Sequence, residues 1–300
     1  MKPPFLKAGD IVGIVAPAKR ILPEEIQFAI TVFESWGLKV LLGNTIGTGE
    51  FLFSGDDEFR RTDLQKMINN PEVKAVFSAR GGYGCVRLID EIDFSPLQKF
   101  PKWLIGFSDF TVFHTHIFKW INLATLHASM PVFFEKNTKA AISSLKDTLF
   151  GNNLTYKVSS SFPELCVSGR AKGALIGGNL SVIYSLCGSK SSLSKGNHIL
   201  FLEDLCEHFY HVDRMMQNLK RNGLFNDLKG VIIGSFTDMQ DGAMPFGKNA
   251  YEVVFDYFKE LKIPVFTGFP AGHTPDNRAL LFGAEIEMEV NNGLLNLKIQ

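Results

Sequence analysis

The strongest constraint on the fold is a repeated change of hydrophobic period along the first half of the chain, where short apolar runs alternate with amphipathic ones. Ile11-Val12-Gly13-Ile14-Val15-Ala16 has the pattern of a buried strand, and Pro17 closes it. Pro23-Glu24-Glu25 then supplies a proline and two acids suited to a first helical turn. Ile26, Ala29, Ile30 and Phe33 keep helical spacing, and Gly37 ends the element. The alternation continues through a strand at 39–42, a helix to Asn69 that Ser54 can cap, a strand at 73–79 and a short helix near 86–89. A strand at 103–106, a helix from Asp109 and a strand at 123–126 follow. Strands joined by helical crossovers pair in parallel, so this half is expected to be a doubly wound, mostly parallel α/β sheet.

Three hundred residues exceed one ordinary core, which favours two domains. A weaker helix at 139–150 is followed by Gly151-Asn152-Asn153 and Ser159-Ser160-Ser161, and the linker is placed there. The expected division is a nucleophile-bearing α/β domain at 1–135, a linker at 136–165 and a second domain at 166–300. The second half mixes strands at 169–176, 198–202 and 231–234 with helices at 180–186, 211–221 and 248–261. It ends in extended segments around 280–290 and 294–299 joined by Asn291-Asn292-Gly293, a hairpin signal, so this domain is expected to be α+β and barrel-like.

Lysine plus arginine equals aspartate plus glutamate at 31 each, which leaves no basic excess for phosphates of a nucleic acid or an anionic membrane. The first residues lack the apolar core of a secretion signal, and no run reaches the ~18 apolar residues that span a bilayer, so a cytoplasmic protein is expected. Cys85, Cys166, Cys187 and Cys206 are scattered without a Cys-x-x-Cys pair, which argues for reduced thiols rather than a zinc or redox centre.

Chemistry concentrates at the turns. A strand followed by Gly106-Phe107-Ser108-Asp109 and a helix puts the Ser108 hydroxyl where backbone donors are free. It can serve there as a nucleophile or, as spacing alone favours, merely cap the helix. Phe110 stands where an α/β-hydrolase elbow needs glycine. Arg80-Gly81-Gly82-Tyr83-Gly84 follows another parallel strand on the same rim, so the Gly82 and Asp109 amides could together bind a tetrahedral oxyanion. An ordinary positive-φ turn is the alternative. The glycine spacing does not match a dinucleotide fingerprint.

A serine needs a base and an orienting acid. The apolar run 198–202 ends at Glu203-Asp204, and His273 lies in the rigid loop Gly268-Phe269-Pro270-Ala271-Gly272-His273-Thr274-Pro275. His114, His116, His127, His198, His208 and His211 compete for the base. Asp204 and Glu207 compete for the acid, and Cys85 reads as a small buried residue. His114 and His116 face different ways on one helix, so no metal site is expected.

Seven segments in order resemble the LD-carboxypeptidase family of serine peptidases. They are 9–18, Phe53-Ser54-Gly55 through Arg60 to Leu64, 79–84, 105–109, Gly177-Gly178-Asn179-Leu180, Leu202-Glu203-Asp204 with Tyr210 to Arg214, and Gly272-His273. The resemblance implies a Ser-Glu-His triad on Ser108, Glu203 and His273, the amides of Gly82 and Asp109 as oxyanion hole, and an interdomain site. It also implies a homodimer, no cofactor, and a small muropeptide substrate cleaved before its terminal D-alanine during cell-wall recycling. A microcin-like aminoacyl nucleotide is the rival substrate, and a non-catalytic peptide-binding protein the rival class. Leu126-His127-Ala128-Ser129-Met130-Pro131 departs from the family's glycine-containing version of that segment, and Arg80 is a candidate grip for the substrate carboxylate.

Overall fold

The computed structural model describes residues 1–152 and 155–299, so Asn153 of the expected turn lies outside the described residues. The strands are β1 (Ile11–Val15), β2 (Lys39–Leu42), β3 (Val73–Ser78), β4 (Trp103–Gly106), β5 (Thr125–His127), β6 (Thr155–Ser159) and β7 (Gly169–Asn179). There follow β8 (His198–Leu205), β9 (Gly230–Thr237), β10 (Val265–Thr267), β11 (Leu280–Phe282), β12 (Glu285–Asn291) and β13 (Leu294–Ile299). The helices are α1 (Gln27–Ser35), α2 (Asp57–Asn69), α3 (Pro96–Lys99), α4 (Thr111–Ile121), α5 (Lys139–Phe150), α6 (Leu180–Ser185), α7 (Phe209–Arg221) and α8 (Ala250–Asp256).

The first sheet has the order β11-β5-β4-β3-β1-β2. β1 to β5 all pair in parallel, as buried apolar runs separated by helices require. The antiparallel member is β11, which returns from near the end of the chain to cover the free edge of β5. The second sheet runs β10-β9-β8-β7-β12-β13-β6 and is parallel from β10 to β7 and antiparallel beyond. β12 and β13 form the expected hairpin, with Asn292 and Gly293 both at positive φ, the conformation a two-residue turn needs to follow strand twist. Val167 and Val265 exchange both backbone hydrogen bonds, so the segment after β6 reaches the β10 edge and curls the sheet towards closure.

Several expectations change in detail. Asp56, not Ser54, caps α2 by accepting from Phe59 N, while the buried Ser54 donates to Lys19 O. The stretch read as linker carries β6, and β10 was not foreseen. α8 covers only 250–256 of the expected 248–261. One apolar cluster includes Phe77, Ile105 and Leu126 of the first sheet together with Phe201, Ile232 and Leu297 of the second. The two sheets are therefore packed on shared core, and the carboxyl end of β4 faces that of β7: Asn179 N donates to Thr111 Oγ1 at 3.1 Å. Among the described residues no helix is long and apolar enough to cross a membrane.

Candidate active site

Ser108 opens a single 3₁₀ turn, Ser108–Phe110, between β4 and α4. Its φ is 63°, a left-handed conformation that a residue with a Cβ adopts at a cost of about 1–3 kcal/mol and that recurs at functional sites. Gly106 is required beneath it, because a Cβ there would stand 2.6 Å from the Phe110 ring. No side chain caps either the 3₁₀ turn or α4. The Ser108 hydroxyl is thus not engaged as a cap, and the residue is partly exposed.

The glycine turn after β3 lies directly against this serine. A Cβ on Gly81 would come within 3.2 Å of Ser108 Oγ, and Gly82 has φ 118°. The two turns are tied by the side chain of Asp109, whose Oδ2 accepts from Cys85 N at 2.8 Å. Burial raises the pKa of this carboxyl, against the lowering effect of its bonds to the turn and of Arg60. The fully buried Arg60 guanidinium holds the same turn from below, donating to Pro17 O at 2.5 Å and Gly84 O at 3.4 Å. Neither the Asp109 carboxylate nor Arg60 was singled out for these roles from the sequence. The available signal was that both are charged residues flanking turns that must hold a fixed shape.

Glu203 does not end its strand, as expected, but sits inside β8 at a register shift between Leu202 and Asp204. A bulge of this kind re-aims a side chain without ending the ladder. Glu203 is fully buried, and its Oε2 accepts from His273 Nδ1 at 2.7 Å. The backbone before His273 can approach so closely only as glycine: Gly272 has φ 115°, and a Cβ there would stand 2.6 Å from Glu203 Oε2 and 2.5 Å from Ser235 Oγ. Asn277 Oδ1 accepts from Gly272 N at 2.9 Å, and Thr237 Oγ1 donates to His273 O at 3.2 Å, so the loop is anchored on both sides of the imidazole. Because Nδ1 faces the carboxylate, Nε2 is left for the other side of the ring. The ring itself packs 4.9 Å from that of Phe107, the residue before Ser108. Burial pulls the His273 pKa down, but the charge of Glu203, its hydrogen bond and the charge of Asp204 outweigh it, and the net shift is upward.

Several of the competing candidates have other partners. Asp204 accepts from Asn179 Nδ2 and Ser181 N at 2.9 Å each, and burial, with the charge of Glu203, pushes its pKa up to about 7. Glu207 pairs with His211 at 2.5 Å on α7. His114 bonds Thr125 Oγ1 and Gly106 O, and His116 bonds Ser191. His127 is buried among Phe107, Phe201 and Phe282. Arg80 stands 3.6 Å from Glu25 and donates to Arg20 O, so its charge is already partnered. Cys85 is fully buried, and burial raises its thiol pKa, as for an inert thiol. Among the described residues no three His, Cys, Asp or Glu side chains are grouped to hold a metal.

Residues 12–128 match the LD-carboxypeptidase N-terminal domain and residues 172–288 the LD-carboxypeptidase C-terminal domain. A Bacillus subtilis protein named "Probable murein peptide carboxypeptidase" is 33% identical over 96% of this chain and 91% of its own length. The microcin C7 self-immunity protein MccF of Escherichia coli is 24% identical over 98% and 95%. The crystal structure of muramoyltetrapeptide carboxypeptidase from Oxalobacter formigenes superposes with a TM-score of 0.85 at 28% identity, covering 96% of this chain and 98% of that one. With both domains matched in order, and a fold shared over almost its full length with a solved carboxypeptidase, the chain belongs to the LD-carboxypeptidase family of serine peptidases.

Proposed function

We propose that this protein hydrolyses the bond before the terminal D-alanine of murein tetrapeptides, using Ser108 as nucleophile, His273 as base and Glu203 as orienting acid. One observation carries the reading: an imidazole bonded through Nδ1 to a fully buried carboxylate packs against the residue that precedes an uncapped, left-handed serine at a strand-to-helix turn. In the reaction His273 Nε2 takes the Ser108 proton as Oγ attacks the scissile carbonyl, and Glu203 stabilises the imidazolium. The imidazolium returns the proton to the leaving amine. Water, deprotonated by the same imidazole, then releases the acyl group from Ser108. The amides of Gly82 and Asp109 receive the oxyanion, a role in which one donor is worth about 3–4 kcal/mol.

The same proposal assigns residues 1–135 to the nucleophile-bearing domain and 166–300 to the domain of acid and base, with the site between them. It also takes up the homodimer and the cytoplasmic recycling role that the resemblance implies. The decisive digest gives the protein a murein tetrapeptide and, separately, an aminoacyl-nucleotide conjugate, and follows products by mass spectrometry. Release of D-alanine from the tetrapeptide is expected. Cleavage of the conjugate alone would transfer the reading to the activity that MccF's name describes, and binding without turnover of either would end the enzymatic reading.

A pH profile tests the base. Only neutral His273 can accept the proton, so kcat/KM should fall tenfold per unit as pH drops below its pKa. Because that pKa is raised, the limb should be centred above the usual histidine value of about 6.5. A midpoint near or below 6 would mean that Glu203 does not act on the catalytic imidazole.

A further inference from the structure

We infer that Lys19 holds the free terminal carboxylate of the substrate and so confines the site to chain ends. The inference rests on the catalytic reading above. A peptidase that removes only the last residue must recognise a carboxylate one residue beyond the scissile carbonyl, and a cation fixed at that distance does so through a charge-assisted hydrogen bond. Two adjacent glycines relate Lys19 to the nucleophile. A Cβ on Gly81 would stand 3.2 Å from Ser108 Oγ, while one on Gly82 would stand 2.4 Å from Cδ and 2.7 Å from both Cγ and Cε of Lys19. The lysine stem therefore lies against the turn that borders the serine, half-buried.

The backbone of Lys19 is fixed where this requires. It bridges Phe53, and its carbonyl accepts from Ser54 Oγ at 3.1 Å. Its ammonium, by contrast, has no hydrogen-bond or ion-pair partner among the described residues. The neighbouring cations are engaged: Arg80 with Glu25, Arg60 with Asp57 and Pro17 O, and Arg87 with Asp57. Arg20 is the rival, since its Nε is buried without a partner, but no contact brings its side chain onto the glycine turn. A lysine that served only to cover Gly82 would need its stem and not its charge.

The test compares hydrolysis of a D-alanine-terminated tetrapeptide with hydrolysis of the same peptide carrying a C-terminal amide. Both are measured on the wild type, Lys19→Met, Lys19→Arg and Arg20→Met. Methionine keeps the stem and removes the charge. Loss of a charge-assisted hydrogen bond should reduce the acid-over-amide ratio of kcat/KM by about 10- to 150-fold in Lys19→Met, mainly through KM for the acid. Lys19→Arg should restore most of the ratio, and Arg20→Met should keep the wild-type value. A merely structural lysine would lower both substrates alike. An unchanged ratio in Lys19→Met, or a collapse in Arg20→Met instead, overturns the inference while leaving the catalytic reading intact. Failure of the wild type to cleave either peptide overturns both.

Discussion

Ser108→Ala is expected to lower kcat for tetrapeptide hydrolysis by about a millionfold, with substrate affinity and fold retained. The expectation follows from what the hydroxyl does and does not touch. It caps neither the 3₁₀ turn nor α4, so its removal leaves no helix end unsatisfied. The neighbouring Asp109 still ties the turn to Cys85 N. Residual turnover of about 10³–10⁴ over water should persist, because the oxyanion donors and substrate binding survive. Ser108→Gly should be equally inactive yet more heat-stable by about 1 kcal/mol, since only the side chain makes φ 63° costly. Rapid-mixing assays should show an acyl-enzyme burst in the wild type and none in either variant. Alanine turnover within tenfold of wild type would remove Ser108 as nucleophile, and buried Cys85 offers no replacement.

Why these residues were readable from sequence, and others not, follows from how far apart their partners lie. Ser108 and the glycine turn stand out because strand, tight turn and helix are local patterns, and each turn carries its own signature within five residues. The β12–β13 hairpin was legible for the same reason. The bond between Glu203 and His273 joins residues 70 apart, and nothing in their spacing selects Glu203 over Asp204 or His273 over six other histidines. The family resemblance selects His273, and Glu203 is preferred on the reading that it ends its strand, a ground that its place inside β8 removes. The bulge that aims Glu203 is equally silent, because apolar residues on either side read as one continuous strand. Ser54 reads as the cap of α2, but its hydroxyl donates to Lys19 O in the neighbouring segment, and Asp56 accepts from Phe59 N in its place. An extended segment at 280–290 is expected, but its first three residues cannot announce that they will leave the hairpin and cross from near the end of the chain to the edge of the first sheet.

Glu203→Gln should separate activity from stability. Glutamine can occupy the same buried space, but its amide nitrogen can donate to Nδ1 and fix the tautomer whose proton faces Ser108, which disables the base. A loss of about 10⁴ in kcat is the expected size. Stability should move the other way above neutral pH, through Asp204. That carboxyl has a folded pKa of about 7, raised by burial and then by the Glu203 charge, against about 3.9 when unfolded. A raised acid contributes stability that is complete below the unfolded value and lost as pH climbs through the folded one. Removing the Glu203 charge lowers the Asp204 pKa and shrinks that loss, by an amount on the order of 1 kcal/mol. Thermal melts at pH 8 should therefore give Glu203→Gln a Tm equal to wild type or about 2 °C higher. The advantage should disappear towards pH 4, where Asp204 is protonated in both folded proteins. Such a profile would mean that the fold carries two adjacent buried carboxyl groups at the expense of stability in order to hold one imidazole. A Tm lower by more than about 5 °C at pH 8 would assign the Glu203 charge to the fold, and a kcat loss below tenfold would remove it from the reaction.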